Sequence, residues 1–309
     1  YRLGIAEAAV GSVLAAVGTA LPETLIPAVA LLAGRESRDA RAAVGVGAIV
    51  GAPLMLSTVA LLVMGIAGWA YRARRRRVAL HVVRNDARRD LYFFLPVFLI
   101  VMAAGTIPLG PIARRASATA LLIAYCGYVA AMMRLKRSAD AEVEHGLYAE
   151  RLLGGNPMRP RGWTVALQVI AGAGAILVGA GAFVNQVVLF SARLGVDPAV
   201  LSLILSPLAT ELPEKYNSVV WIRRGKDNLA LANITGAMVF QSCVPVALGI
   251  AFTPWRLTPP ELLGGTITLV SAAILCINLR HGELRAPVLA IGGAAYAIFL
   301  LGLAYLGVR

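Results

Sequence analysis

Two stretches of the chain, RLGIAEAAVGSVLAAVGTALPE at 2–23 and RLGVDPAVLSLILSPLATELPE at 193–214, align without a gap at a constant offset of 191 residues. Both open on Arg-Leu-Gly, close on Leu-Pro-Glu and carry Thr four residues before the glutamate. A second pair follows: GAIVGAP at 47–53 matches ANITGAM at 232–238, with six extra residues in the first connector. Self-similarity at a fixed offset is the mark of a chain built from related units.

The setting of these motifs is apolar. Of 309 residues, 59% are hydrophobic and 15% charged, whereas a soluble domain carries roughly 25% charged residues. Val44–Ala70, Leu91–Leu109, Trp163–Phe190 and Ala286–Gly307 hold no charged side chain, and about 20 apolar residues cross a bilayer as a helix. A soluble globular protein is excluded. Apolar windows and breakers predict nine spans, at 3–33, 42–69, 91–112, 117–133, 163–191, 198–222, 229–252, 261–279 and 286–308. They are read as helices, because lipid leaves a lone strand's backbone unsatisfied and a barrel would show short alternating segments. The predicted fold class is an all-α polytopic membrane protein with two inverted-topology repeats.

The net charge is +13, and its distribution points to lipid rather than nucleic acid. Loops on the side of Arg2 hold twenty Lys and Arg residues and the opposite loops hold eight. By the positive-inside rule, the 70–90 and 134–162 loops are predicted to be cytoplasmic. The Arg72–Arg77 run fits headgroup contact on that face. Cys126, Cys243 and Cys276 all lie in apolar segments and read as packing residues. Arg outnumbers Lys 26 to 3, which points to a GC-rich bacterial genome and so to the inner (plasma) membrane.

The polar stretch 134–162 mixes both charge signs, ends in Gly and Pro, and reads as a linker between halves 1–133 and 163–309. The two copies begin five spans apart, so they enter the membrane from opposite faces. Inverted repeats of this kind build secondary transporters with a midplane site between broken helices.

Away from the span ends the charged residues are Glu23, Glu211, Glu214 and Lys215, all within the repeated motif. A charge at the bilayer centre costs roughly 2.5–3.5 kcal/mol on insertion scales, so such groups face a protein interior or a cavity. Glu23 and Glu214 are repeat-equivalent and should sit at matched depth. Pro22 and Pro213 lack an N–H, which leaves the carbonyls of Gly18 and Ala209 without their helical donors. Thr19 and Thr210 add hydroxyls. Hard cations take roughly six to eight oxygens of this kind, so the set suits one divalent ion or one or more Na⁺. Glu211 and Lys215, at i and i+4, fit either a site role or an ion pair that holds helices together. Asn185, Gln186, Asn233 and Gln241 are further polar residues in apolar spans; interhelical hydrogen bonding is the expected role of the first two.

These residues resemble the signature repeats of the cation/calcium exchanger superfamily, which includes the sodium/calcium exchangers. The first motif of that family, approximately Gly-Thr-Ser-Leu-Pro-Glu, appears here as GTALPE at 18–23 and ATELPE at 209–214. The second appears as GAIVGAPLML at 47–56 and ANITGAMVFQ at 232–241. The resemblance implies a membrane antiporter in which Glu23 and Glu214 bind Ca²⁺ and Na⁺ alternately, Thr19 and Thr210 lend oxygens to sodium sites, and Gln241 supplies an amide at the last motif position. Its counterpart is Leu56, while Ala20, Ala52 and Ala237 stand where the family has serine. The site thus loses oxygens on the first-repeat side and gains Glu211 on the other, with Lys215 as a charge partner. A third carboxylate lets a proton stand in for a sodium ion, so the coupling ion is open between Na⁺ and H⁺.

The family carries five helices in each half, and here four precede the linker. With Tyr1 in place of an initiating Met, the expectation is a fragment whose first helix lies upstream. The function expected is a secondary cation antiporter exporting Ca²⁺ against Na⁺ or H⁺, with inorganic cations and the lipid bilayer as partners, no cofactor and no nucleic acid. The alternatives are a degenerate, non-transporting homologue, suggested by the substituted ligands, and a polytopic membrane enzyme using Glu211 and Glu214 as an acid/base pair. Against the enzyme, His81, His145 and His281 all lie in loops and no Cys/His ligand set appears.

Overall fold

The structure, a computed structural model, describes residues 21–32, 38–76, 79–82, 84–134 and 161–307. Its longer helices are α1 Leu21–Leu32, α2 Arg38–Ala70, α3 Arg84–Ala104, α4 Pro111–Arg134, α5 Gly162–Leu194, α6 Pro198–Thr210, α7 Leu212–Arg223, α8 Asp227–Phe252, α9 Pro259–Asn278 and α10 Ala286–Tyr305. Six of these, α2, α4, α5, α8, α9 and α10, are long and apolar enough to cross a membrane. The chain is an all-α polytopic membrane protein; the described strands are the two-residue β1 Leu80–His81 and β2 Glu283–Leu284, paired antiparallel.

Helix ends follow local chemistry. The Asp197 side chain caps α6 by accepting from the Ala199 N–H at 2.7 Å, with Pro198 in the first turn. Thr258 and Glu261 form a capping box on α9, with Thr258 N donating to Glu261 Oε2 at 2.6 Å. Gly195 ends α5 in the left-handed region at φ 64°.

The predicted spans meet helix wherever they are described, with two corrections. The span drawn at 91–112 is displaced, since α3 starts at Arg84 and ends at Ala104. Gly105 and Pro108 stop the helix, and the charged start is tolerated because Asp90 finds partners inside. The span drawn as 198–222 is two helices, α6 and α7, divided at Glu211.

The most enclosed helices are α2 and α8. The outer helices α3 and α4 pack on α8, α9 and α10 on α2, and α5 lies outermost against α1, α6 and α2. Glycine sets the closest crossing: a Cβ on Gly47 would collide with the carbonyl of Ala199, and one on Gly51 with that of Leu203. Ser202 Oγ donates to the Val44 carbonyl at 2.7 Å in the same crossing. Small residues that bring backbones together are the membrane's substitute for a hydrophobic drive between helices.

Each end of the bundle is fastened. At one, Arg75 and Asp227 form a buried salt bridge of 2.5 Å, and Asp227 also accepts from the His81 N–H at 2.9 Å. This ties the end of α2 to the start of α8, beside the β1–β2 ladder. At the other, fully buried Trp255 adopts φ 48° and donates from its indole N–H to the Val101 carbonyl at 3.2 Å. A bulky residue in that region is held by its surroundings, here Gly249, whose missing Cβ makes room for the ring. Leu257 N–H donates to Gly105 at 3.0 Å beside it.

Cys243 and Cys276 are buried, as packing residues should be, but Cys126 is exposed on the outer face of α4. Asn185 accepts from Arg41 Nη1 at 2.6 Å, a hydrogen bond between α5 and α2.

Gly51→Ala is expected to destabilise the protein by about 1–3 kcal/mol, the usual cost of overpacking, seen as a lowered midpoint of thermal unfolding in detergent. Gly127→Ala, where a Cβ meets nothing within 4 Å, should leave the midpoint unchanged or raised.

Candidate cation site

The site lies at the break between α6 and α7. Glu211, at φ −90° and ψ 8°, caps both helices. The ladder crosses the break through Glu211 N–H to Pro207 at 3.1 Å and Lys215 N–H to Glu211 at 3.2 Å. Pro213 has no N–H to offer the Ala209 carbonyl, so that oxygen is left for another partner.

Glu23, in the first turn of α1, and Glu211, Glu214 and Lys215 are all buried. They form one electrostatic cluster: Glu23 feels the charges of Glu214, Glu211 and Lys215. Lys215 Nζ donates to Glu211 Oε2 at 3.2 Å. Neither carboxylate oxygen of Glu23 has a hydrogen-bond partner among the described residues, and the same holds for Glu211 Oε1. Burying carboxylate oxygens without partners is costly unless something else meets them.

Around the cluster, Thr210 donates its hydroxyl to the Ser206 carbonyl at 3.1 Å, which leaves its lone pairs free to accept or ligate. Gln241 on α8 lies beside Glu211 without reaching strict hydrogen-bond geometry. Asn233 is buried on the same helix. Gly18 and Thr19 lie outside the described residues. The structure therefore brings together Glu23, Glu211, Glu214, Lys215 and Gln241, with Thr210 and Ala209 on the adjoining turn. It does not draw three acidic or other metal-ligating side chains into a ready cage; no such group exists among the described residues.

On α2, residues Leu56–Ala60 form a π-helical turn, with Thr58 Oγ1 donating to the Leu54 carbonyl at 2.5 Å. Single π turns often mark functional sites. Leu56, the counterpart of Gln241, is fully buried and apolar.

Three buried or nearby polar residues, two beside the cluster and one elsewhere in the bundle, escaped the sequence reading. Ser206, one turn before Thr210, is buried, and its hydroxyl lacks a partner among the described residues; its repeat mate is Ala15, so the repeat hid it. Tyr296 on α10 lies in electrostatic reach of Glu211, a proximity no local pattern announces. Asp90 on α3 is fully buried and accepts from Tyr128 at 2.5 Å and Thr235 at 2.6 Å, joining α3, α4 and α8. Its place at a span's end masked it.

Buried carboxylates beside a broken helix, inside a bundle of apolar helices, define the class as a polytopic ion-transport protein. The chain belongs to the sodium/calcium exchanger protein family, whose model matches residues 1–134 and 164–305. A putative antiporter, CaxA of Alkalimonas amylolytica, is 23% identical over 291 residues, covering 92% of this chain and 83% of that one. The inner membrane protein YrbG of Escherichia coli (strain K12) is 24% identical over 262 residues, covering 83% and 73%. Among solved structures, the crystal structure of the H⁺/Ca²⁺ exchanger CAX superposes with a TM-score of 0.75 at 18% identity, covering 95% of this chain and 73% of that one. The sodium-calcium exchanger NCX_Mj, soaked with zero Na⁺ and Ca²⁺, gives 0.61 at 16% identity, covering 98% and 89%. At these identities the superpositions speak for the fold.

Thr235→Val and Tyr128→Phe each take one donor from buried Asp90. Each is expected to cost about 1–3 kcal/mol, read by thermal unfolding in detergent.

Proposed function

We propose that this protein is a secondary cation antiporter that moves Ca²⁺ against Na⁺ or H⁺ by alternating access. Glu23 and Glu214 bind the cation, assisted by the hydroxyls of Thr19 and Thr210, the carbonyls of Gly18 and Ala209, and the side chains of Glu211 and Gln241. The observation that carries the reading is the buried cluster of three carboxylates in a member of an exchanger family, with Glu23 lacking hydrogen-bond partners among the described residues. A site short of positive charge is a site for cations. Residues 1–133 and 163–309 act as the two repeat halves, and the 70–90 and 134–162 loops face the cytoplasm of a bacterial inner membrane.

Each step follows from this chemistry. A cation entering between α1 and α7 neutralises carboxylates that the bundle otherwise holds at high cost. Cargo-free carboxylates resist occlusion, so the site closes when loaded, with Ca²⁺ on one crossing and Na⁺ or H⁺ on the other. A second reading, a homologue that no longer transports, is favoured by buried Leu56 where the family's motif has an amide or carboxylate.

The test is ⁴⁵Ca²⁺ uptake into proteoliposomes driven by an imposed Na⁺ gradient or an imposed pH gradient. Uptake under one of them names the coupling ion, while folded protein inactive under both would overturn the antiporter and leave the second reading. Glu23→Gln and Glu214→Gln should each lower uptake at least about tenfold, because loss of a buried charged ligand exceeds about 1.4 kcal/mol. Either variant at full activity removes that residue from the site.

A further inference from the structure

The Glu211–Lys215 pair has no counterpart in the first copy of the motif. At the offset of 191 residues, Glu211 corresponds to Ala20 and Lys215 to Thr24. One negative and one positive charge are thus present in the same copy, one helical turn apart, and absent together from the other. In the structure they meet at 3.2 Å, Glu211 fully buried and Lys215 nearly so, beside Glu214 and within electrostatic reach of Glu23. The other buried carboxylates have partners elsewhere: Asp90 takes donors from Tyr128 and Thr235, Asp227 pairs with Arg75, and Glu261 caps α9.

We propose that the Lys215 ammonium is a tethered cation of the transport site, which cancels one carboxylate permanently and makes the exchange electroneutral, one divalent ion against two monovalent ions. This rests on the exchanger reading above. Three carboxylates and one ammonium leave a formal charge of −2 in the cluster. Uncompensated charge in a low-dielectric interior costs several kcal/mol per ion, so the occluded site is filled to neutrality by either cargo. Two charges travel each way and none is left over. Without the ammonium the same cluster would call for a third monovalent ion, and each cycle would move a net charge through the membrane potential.

The potential therefore separates the cases. For each net charge moved per cycle, 100 mV alters the steady-state Ca²⁺ ratio about 50-fold; an electroneutral exchange is indifferent to it. The experiment uses the full-length protein in proteoliposomes, ⁴⁵Ca²⁺ as probe, a fixed Na⁺ or pH gradient as driver, and a potential set by a K⁺ gradient with valinomycin.

The wild type is expected to accumulate Ca²⁺ to the same ratio at every potential. Lys215→Gln should become potential-sensitive by about 50-fold per 100 mV, and Glu211→Gln/Lys215→Gln, which restores the balance, should be indifferent again. If the single variant does not fold, Glu211→Gln decides: it leaves a formal charge of −1, one divalent ion against one monovalent, so its accumulation should follow the potential by about 50-fold per 100 mV in the opposite sense, and a folded Glu211→Gln that stays indifferent overturns the proposal. A wild type whose accumulation follows the potential overturns the proposal alone, as does a folded Lys215→Gln that stays indifferent, the result expected of a pair that only pins α6 to α7. A wild type with no Ca²⁺ accumulation under either gradient overturns the exchanger reading, and this inference with it.

Discussion

Charge held away from water is the constraint to which the rest of this structure answers. Three carboxylates and an ammonium lie buried in a bundle whose long runs Val44–Ala70, Leu91–Leu109, Trp163–Phe190 and Ala286–Gly307 hold no charged side chain. Ionised groups in such surroundings are strongly disfavoured unless paired or hydrogen-bonded. The break at Glu211 and the N–H that Pro213 lacks leave the Ala209 carbonyl unmatched, and Thr210 keeps its lone pairs; these oxygens are acceptors, so they answer a cation rather than the carboxylates themselves. The π turn at Leu56–Ala60 of α2 disturbs a second enclosed helix in the same manner.

Holding those groups in register takes a frame. The glycine crossing of α2 with α6 brings backbone against backbone, where longer side chains would keep the helices apart. The Arg75–Asp227 pair fastens one end of α2 and α8, and Trp255 wedges the other, each joining segments far apart in sequence. Asp90 likewise joins α3 to two other helices by accepting their hydrogen bonds. Polar contacts of this kind are specific in direction, which apolar packing against lipid is not.

Much of this was legible in the sequence because lipid makes simple demands. Continuous apolar runs located the helices, and the rarity of charge inside them singled out Glu23, Glu211, Glu214 and Lys215, which the fold does gather. The i, i+4 spacing of Glu211 and Lys215 forecast a contact that forms. What escaped depends on partners from elsewhere in the chain. Asp90 reads as loop-side charge until Tyr128 and Thr235 are placed around it, Tyr296 reaches Glu211 only through the packing of α10, and Ser206 lacks the repeat mate that would have marked it. The displaced start of α3 has the same origin: local hydropathy ended the helix where charge began, and tertiary hydrogen bonds carried it on.

The length of α5 ties the protein to its lipid. Its 33 residues measure about 50 Å along the axis, against a hydrocarbon layer of about 30 Å. The charge-free run Trp163–Phe190 also exceeds that thickness, so the helix lies strongly inclined or the bilayer thickens around it. Because α5 touches α1 and α6, the helices that carry or adjoin the buried carboxylates, its inclination is mechanically coupled to them. Membrane thickness thereby becomes a variable of the site, and hydrophobic mismatch a means by which lipid composition sets how α1 and α6 stand to one another.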